Sequence, residues 1–298
     1  MKRQYRLLSI LLVLVVLVGF TPVVATASSS LPYVKVSTYQ DNAKAKQVLK
    51  YINKERSKRG LSKVKLDKEL TSAAVQRAAE VAIYIPTTSP HKRPNGKSAH
   101  GVNKRITSEC CAEGYNTAES VVDGWMHSDA HRKLVLDKKA RSVGIGCITT
   151  DGNDTFYALE ISHTKMKKKL KSNKKVHSYK KVYAKKKYLK KSFFSLRTNL
   201  ESDYYDGDEE EITITPGQKV KLHPYYSSEW NFYYNSRLAA SNFKWSSSKK
   251  SVATVSKKGK VTGKSEGSVK ITAKMKRYPY AKLTMWVDVT NDDDDYDY

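Results

Sequence analysis

The sequence predicts an α+β layered domain followed by an all-β sandwich. Three observations lead there. Between Asp41 and His127, apolar residues recur at helical spacing, and Ser142–Ser162 then reads as a strand hairpin. After Lys191 the pattern turns to short alternating runs separated by turn signals. Between these halves the composition changes abruptly to lysine. A chain of 298 residues suits about two such domains.

The chain opens with a signal pattern over residues 1–27. Lys2, Arg3 and Arg6 precede an apolar run from Leu7 to Phe20, and Ala25-Thr26-Ala27 meets the small-residue rule for cleavage. Residues 28–40 read as an extended leader. The first domain spans 41–164. Asp41 opens a helix whose Val48, Leu49, Ile52 and Arg56 share one face, and Gly60 ends it. Asp67 caps a second helix, and Leu70, Ala73, Ala74, Ala78 and Val81 give it a small-residue inner face before Pro86 breaks it. The segment 86–107 is rich in Pro, Ser, Asn and Gly and reads as a loop of the kind that carries function. Thr117 caps a third helix, Ala118–His127, with Val121, Val122, Trp125 and Met126 as its apolar stripe. Two strands follow, Ser142–Thr149 and Thr155–Ser162, joined by Asp151-Gly152-Asn153-Asp154.

Residues 165–191 hold fourteen lysines and no acid. This composition predicts a solvated linker, with Lys165, Lys167, Lys168, Lys169, Lys185, Lys186 and Lys187 as contacts for an anionic polymer. Scattered Val, Tyr and Leu allow part of it to pair as a strand. The second domain spans 192–290, with strands expected at Ser192–Thr198, Glu211–Tyr226, Phe243–Trp245, Val252–Ser256, Val269–Met275 and Leu283–Val289. An acidic patch, Asp206–Glu211, and an acidic tail over 291–298 flank it. Neither has the oxygen spacing of an EF-hand, so both read as solvated acid.

Charge and cysteine use narrow the functional classes. Removing Lys2, Arg3 and Arg6 from a formal net charge of +26 leaves +23, which attracts polyanions. For an exported chain the expected partner is an anionic cell-wall polymer or a membrane surface. No motif has base-reading geometry, so nucleic acid is not expected. The three cysteines are Cys110, Cys111 and Cys147. Cys147 can bridge Cys110 or Cys111, or all three remain buried thiols. Gly263-Lys264-Ser265-Glu266-Gly267 matches the hydrolase pattern G-x-S-x-G, but it lies between two strands, whereas that nucleophile needs a strand-to-helix turn.

One set of residues remains: His91, Glu109, Glu119 and His131. Two imidazoles and two carboxylates suit a divalent ion, zinc first, with the acids as ligands or as partners that orient the rings. The same set can serve acid–base chemistry.

The segments around these residues resemble the CAP superfamily of cysteine-rich secretory, antigen 5 and pathogenesis-related proteins, over about residues 42–164. The resemblance rests on QVLKYINKERSKRGL, LDKELTSAAVQRAAE, HKRPNG, SECCAEGYNTAESVVDGWMHSDAHR and SVGIGC. It implies an α-β-α sandwich, with His91, Glu109, Glu119 and His131 as a tetrad in an open cleft. Cys110 stands where Asn is usual after the first Glu, and Asp129-Ala130 replaces Pro-Gly before His131. PGQKVKL and FKWSSSKKSVATVSKKGKVTGKSEGSVKITA resemble bacterial Ig-like domains of group 2, which implies a C-terminal Ig-like sandwich. The leading expectation is an extracellular or cell-surface binding protein whose cleft takes a metal or a small, lipid or peptide ligand. The alternatives are a metal-dependent hydrolase using Glu109 and Glu119, and an interaction scaffold with a vestigial cleft.

Overall fold

The computed structural model describes residues 31–84, 91–150, 154–189, 194–198, 211–228, 231–277 and 280–291. The expected signal sequence, the centre of the hairpin turn at 151–153, most of the acidic patch and the tail from 292 lie outside them. Among the described residues no helix is long and apolar enough to cross a membrane.

The first half contains β1 (Tyr33–Asp41), α1 (Asn42–Ser57), β2 (Lys65–Leu66), α2 (Lys68–Tyr84), β3 (Ser108–Glu113), α3 (Ala118–His127), α4 (Asp129–Val135), β4 (Ser142–Thr149), β5 (Thr155–Ser162) and β6 (Lys175–Tyr183). Its sheet runs β3-β5-β4-β1-β6, with β2 added beside β4. The expected caps form: Asp41 Oδ1 accepts from the Lys44 amide at 2.8 Å, and Asp67 Oδ1 accepts from Glu69 and Leu70 at 2.8 and 3.1 Å. Thr117 and Ser120 make a reciprocal capping box at the start of α3.

The two sheet faces have separate cores. Val48 and Ile52 of α1 and Val121, Val122 and Trp125 of α3 pack with Ile145, Tyr157 and Leu159. On the opposite face, Ala74, Ala78 and Ala82 of α2 pack with Ile148, Phe156 and Ala158. The result is the expected α-β-α layering. The helix α2 lies against β4 at van der Waals limit, since a Cβ on Gly144 would stand 2.1 Å from the Leu70 carbonyl carbon. Glycine at 144 is thus a condition of this helix–sheet spacing.

The second half contains β7 (Phe194–Arg197), β8 (Glu211–Ile214), β9 (Lys219–Lys221), β10 (His223–Ser228), β11 (Asn231–Arg237), β12 (Phe243–Ser247), β13 (Ala253–Val255), β14 (Lys260–Gly263), β15 (Gly267–Met275) and β16 (Lys282–Val289). They form sheets ordered β12-β15-β16-β8, β13-β14-β9 and β11-β10-β7. Ser265 lies between β14 and β15, and its hydroxyl donates to the Ser251 carbonyl at 2.9 Å, far from any nucleophile elbow.

Three expectations need correction. The leader is largely a strand: β1 occupies the sheet interior. The lysine-rich stretch is not a solvated linker. Lys175–Tyr183 pairs antiparallel with all nine residues of β1, from Tyr33↔Tyr183 to Asp41↔Lys175. Ahead of it the Lys167 amide donates to Asp67 Oδ2 at 2.7 Å, and Leu170 is buried. Lysine is compatible with an edge strand because its stem lies along the sheet while its ammonium reaches water. Lys165, Lys167, Lys168, Lys169, Lys185, Lys186 and Lys187 are all exposed on this fixed backbone.

The third correction concerns the disulfide. All three cysteines are free thiols. Cys110 pairs with Leu159 and Cys147 with Tyr157, on opposite sides of β5. Two strand spacings, about 9.5 Å, exceed the reach of a bridge. Cys111, on the same strand as Cys110, faces the other side.

The halves are also joined more closely than a linker allows. On its inner edge β1 meets β4 only at Tyr39 and Gln40. Further along that strand, Val36 bridges to Leu238, the Ala239 amide donates to the Lys35 carbonyl at 2.9 Å, and Asn242 bonds both backbone groups of Lys35 at 3.1 and 3.0 Å. Val36, Ile83, Leu196, Tyr226 and Leu238 belong to one apolar cluster that crosses the joint.

Candidate functional site

The strand β3 decides the site. Its alternation sends Cys110 to the α1–α3 core and Glu109 and Cys111 toward α2. Glu109 is buried, with 1% of its side chain exposed. Arg77 of α2 holds it with two bonds, Nε to Oε2 at 2.7 Å and Nη2 to Oε1 at 3.1 Å. The same guanidinium donates to Glu80 at 2.5 Å, and Arg93 reaches Glu80 from the 91–107 loop at 2.7 Å. Burial opposes ionisation of Glu109, but the His91 hydrogen bond and the Arg77 guanidinium outweigh it and hold its carboxyl down to about 2.

Glu160 faces Glu109 directly across the β3–β5 pair. Both of its carboxyl oxygens are buried and lack a donor. Burial and the Glu109 carboxylate push it well above the usual carboxylate range. A protonated Glu160 can donate to Glu109, which satisfies both groups.

His91 Nδ1 lies 3.0 Å from Glu109 Oε1, so Nε2 is the ring nitrogen not engaged by Glu109. Donor atoms of His91, Glu109 and Cys111 lie within 4.8 Å of one another. The His131 ring, carried on α4, stands 6.5 Å from the His91 ring, edge-on. Burial and His91 push the His131 pKa below the usual histidine range, which keeps its nitrogen lone pair available. Burial and Glu109 push the Cys111 thiol up, so its sulfur keeps its proton near neutrality.

Glu119 is placed elsewhere. It lies in a cleft between α1 and α3 lined also by Lys54, Arg59 and Arg132, and it hydrogen-bonds Tyr51. Its position in the first turn of α3 turns it toward α1 and away from β3. The structure thus brings together His91, Glu109 and His131 of the expected four, and adds Cys111. Arg77, Glu80, Arg93 and Glu160 were not expected from the sequence. Period-two alternation through Ser108–Glu113 was the available signal for Cys111, had that stretch been read as a strand.

Residues 49–161 match the model of the Cysteine-rich secretory protein family, CAP, and residues 233–284 match the Bacterial Ig-like domain (group 2). The chain carries a CAP domain followed by a bacterial Ig-like domain. It is 30% identical over 119 residues to the uncharacterized protein YkwD of Bacillus subtilis (strain 168), which covers 38% of this chain and 44% of that protein. The chain therefore spans less than half the length of this curated relative. Among solved structures it is similar to an outer surface protein from Borrelia burgdorferi, at 20% identity and a TM-score of 0.35, over 41% of this chain and 92% of that one. An extracellular protein containing a SCP domain from Bacillus anthracis matches at 18% identity and a TM-score of 0.35, over 42% and 41% of the two chains. A cysteine-rich secretory protein from Staphylococcus aureus matches at 20% identity and a TM-score of 0.33, over 42% and 40%.

Proposed function

We propose that this protein is exported and acts outside the cell as a non-enzymatic binding protein, with the cleft at His91, His131 and Cys111 taking a divalent ion, zinc first. The charged start, apolar run and Ala25-Thr26-Ala27 support export. The observation that carries the site is the convergence of imidazole, thiol and carboxylate donors within 4.8 Å, against about 3.5 Å between ligands of a tetrahedral zinc. The donor set fits the ion. Glu109 already has its charge matched by Arg77, so it orients His91, which with Cys111 from the same group and the neighbouring His131 supplies the candidate ligands; Cys111, a protonated thiol in the free protein, releases its proton on binding the ion. An exposed cationic surface, including Lys165, Lys167–Lys169 and Lys185–Lys187, supports retention on anionic wall polymer.

Binding is favoured over hydrolysis because neither acid suits a general base. Glu109 is held near 2 with both oxygens engaged, whereas a base works best with a pKa near the working pH. Glu119 is turned to Tyr51.

Zinc titrated calorimetrically into the wild type, His91→Ala, His131→Ala and Cys111→Ser tests this. Each single change is expected to remove most of the binding. Unchanged affinity in the His91/His131 double variant would sink the site. Zinc-dependent cleavage of a peptide library, lost in Glu109→Gln, would reverse the order of the two readings.

A further inference from the structure

The outer face of the β12-β15-β16-β8 sheet carries a row of like charges. Pairing of β12 with β15 sets Lys244 opposite Lys274, and pairing of β15 with β16 sets Lys274 opposite Lys282. All three lysines are exposed. Neighbouring strands lie about 4.8 Å apart, so the three side chains cross the sheet side by side. Like charges directly opposite one another destabilise a sheet. The other outward rungs of this face avoid that. Thr272 meets Ser246 and Thr284. Lys270 meets Trp286, with Nζ 4.3 Å from the ring centroid. Ser268 meets Asp288 and donates to its carboxylate. Among the described residues no ion pair answers Lys244, Lys274 or Lys282. A pairing rule broken on one rung and kept on its neighbours points to a surface held for a partner.

The row continues into a small cavity. Met275 follows Lys274, Asn242 lies two residues before Lys244, and both line a space of about 160 Å³ with Tyr33, Lys35, Lys276 and Arg277. The Lys276 amide donates to the Asn242 carbonyl at 2.9 Å, so the backbone pairing runs one step past the row. The Arg277 guanidinium carbon stands 4.8 Å from the Tyr33 ring centroid. No carboxylate lines this space among the described residues. It is well below the roughly 300–1,000 Å³ of pockets for drug-sized ligands, so it suits one small acid group better than a sugar ring. A guanidinium beside ammonium groups suits phosphate. The acids of the outer face, Glu211 and Asp288, lie at its other end. Lys282 and Asp288 are separated by about 20 Å of strand, more than twice the screening length of about 8 Å at physiological salt.

We propose that the row and the cavity form one track for a linear phosphodiester polymer built on a short polyol. One phosphate sits at Arg277, Lys276 and Lys35, and the next ones pass over Lys274, Lys244 and Lys282. The cavity favours an acid carried on a thin backbone, which a phosphodiester provides and a uronic acid ring does not. A flat anionic membrane fits less well, because it would press on Glu211 and Asp288 while it met the lysines. This rests on the reading of the chain as an exported protein retained on anionic polymer, and it moves the contact from the lysine-rich run to the Ig-like sheet. Weak phosphate contacts on one polymer chain reinforce one another through effective concentration.

The test titrates the full-length mature chain at about 0.15 M salt, where exposed charges are screened beyond about 8 Å. The probes are a synthetic hexamer of glycerol phosphate, hexagalacturonate of matched charge, inorganic phosphate and phosphatidylglycerol vesicles. The track predicts that the phosphodiester hexamer binds at least about tenfold tighter than hexagalacturonate and inorganic phosphate. Lys244→Gln/Lys274→Gln/Lys282→Gln should lower hexamer affinity at least about tenfold, while the melting temperature holds or rises because repulsion is relieved. Arg277→Gln, checked for folding in the same way, should lower it about fivefold. Lys165→Gln/Lys168→Gln/Lys169→Gln, an exposed triple of equal charge in the lysine-rich run, is the control and should lose less than about twofold. Equal loss in that control, or unchanged affinity in the row variant, overturns the track and leaves diffuse attraction standing. Tighter binding per phosphate to the vesicles than to the hexamer overturns the polymer as occupant. Failure of the wild type to bind any anionic probe overturns the track together with the reading of retention on anionic polymer.

Discussion

The surroundings of Glu109 and the joint between the two sheets use charge in opposite ways. Around Glu109, Arg77 is clasped by two carboxylates and Arg93 closes the outer side of Glu80, with the Arg77, Glu80 and Glu109 side chains each 1% exposed. Such a network is costly to bury and therefore specific: its geometry survives only when each partner is present. At the joint, Lys221, Arg237 and Lys258 line one cavity with His223, an imidazole that burial, Arg237 and Lys221 hold neutral. The first arrangement places a histidine with little freedom to move. The second gathers like charges around a neutral ring.

The sharpest way to break this comparison is to remove one cation from each region. Arg77→Met should destabilise the fold by about 3–5 kcal/mol, because Glu109 and Glu80 are left buried without their partner. Urea unfolding reads it. A cost under about 1 kcal/mol would mean the network contributes little to stability. The same change should also loosen His91 and weaken zinc binding.

The pH dependence separates the regions next. His223 has its folded pKa depressed from 6.5 to about 4, so its contribution is present above about 6.5 and is lost as pH falls toward about 4. Glu109 is depressed from 4.5 to about 2, so its contribution is lost only as pH falls below about 4.5. Stability should thus decline through the joint before it declines through Glu109. With allowance for solvent around a half-exposed ring, His223→Gln should recover about 1 kcal/mol of the loss between pH 6.5 and 4. Parallel curves for variant and wild type would remove the joint from the account.

A smaller effect has the opposite sign to Arg77→Met. Lys258→Gln takes away one of the charges that lower Lys221 and should raise stability by up to about 0.5 kcal/mol, more at low salt. A clear destabilisation would mean that the cations at the joint are held by favourable contacts. The smallest expected effect is that of Glu119→Gln, which should leave zinc affinity unchanged because the residue faces Tyr51. A tenfold loss would return Glu119 to the site.

Much of the first half was legible because its signals are local. Asp41, Asp67 and Thr117 cap helices where a side-chain oxygen reaches an amide two or three residues on, and that bond needs no tertiary partner. The stripes of α2 and α3 follow from 3.6-residue periodicity. His91, Glu109 and His131 could be nominated because the order of residues around them resembles a known family. Glu119 came with the same resemblance, yet its direction depends on the rotation of α3 about its axis, which the Val121–Trp125 stripe sets against the sheet.

Other features lay beyond any local pattern. The lysine-rich run carries the composition of a linker and the backbone of a strand, because nine residues of β1 offered it a full ladder. The pairing of Glu160 with Glu109 arises from the β3–β5 register, fifty-one positions apart in the chain. The joint needed Leu238 and Asn242 to meet the part of β1 that β4 leaves open. Capping, periodicity and motif order act over a few residues and can be read in line. Strand partners, register and the meeting of like charges at the joint are set by which surfaces exclude water together, and that is settled only when distant segments pack.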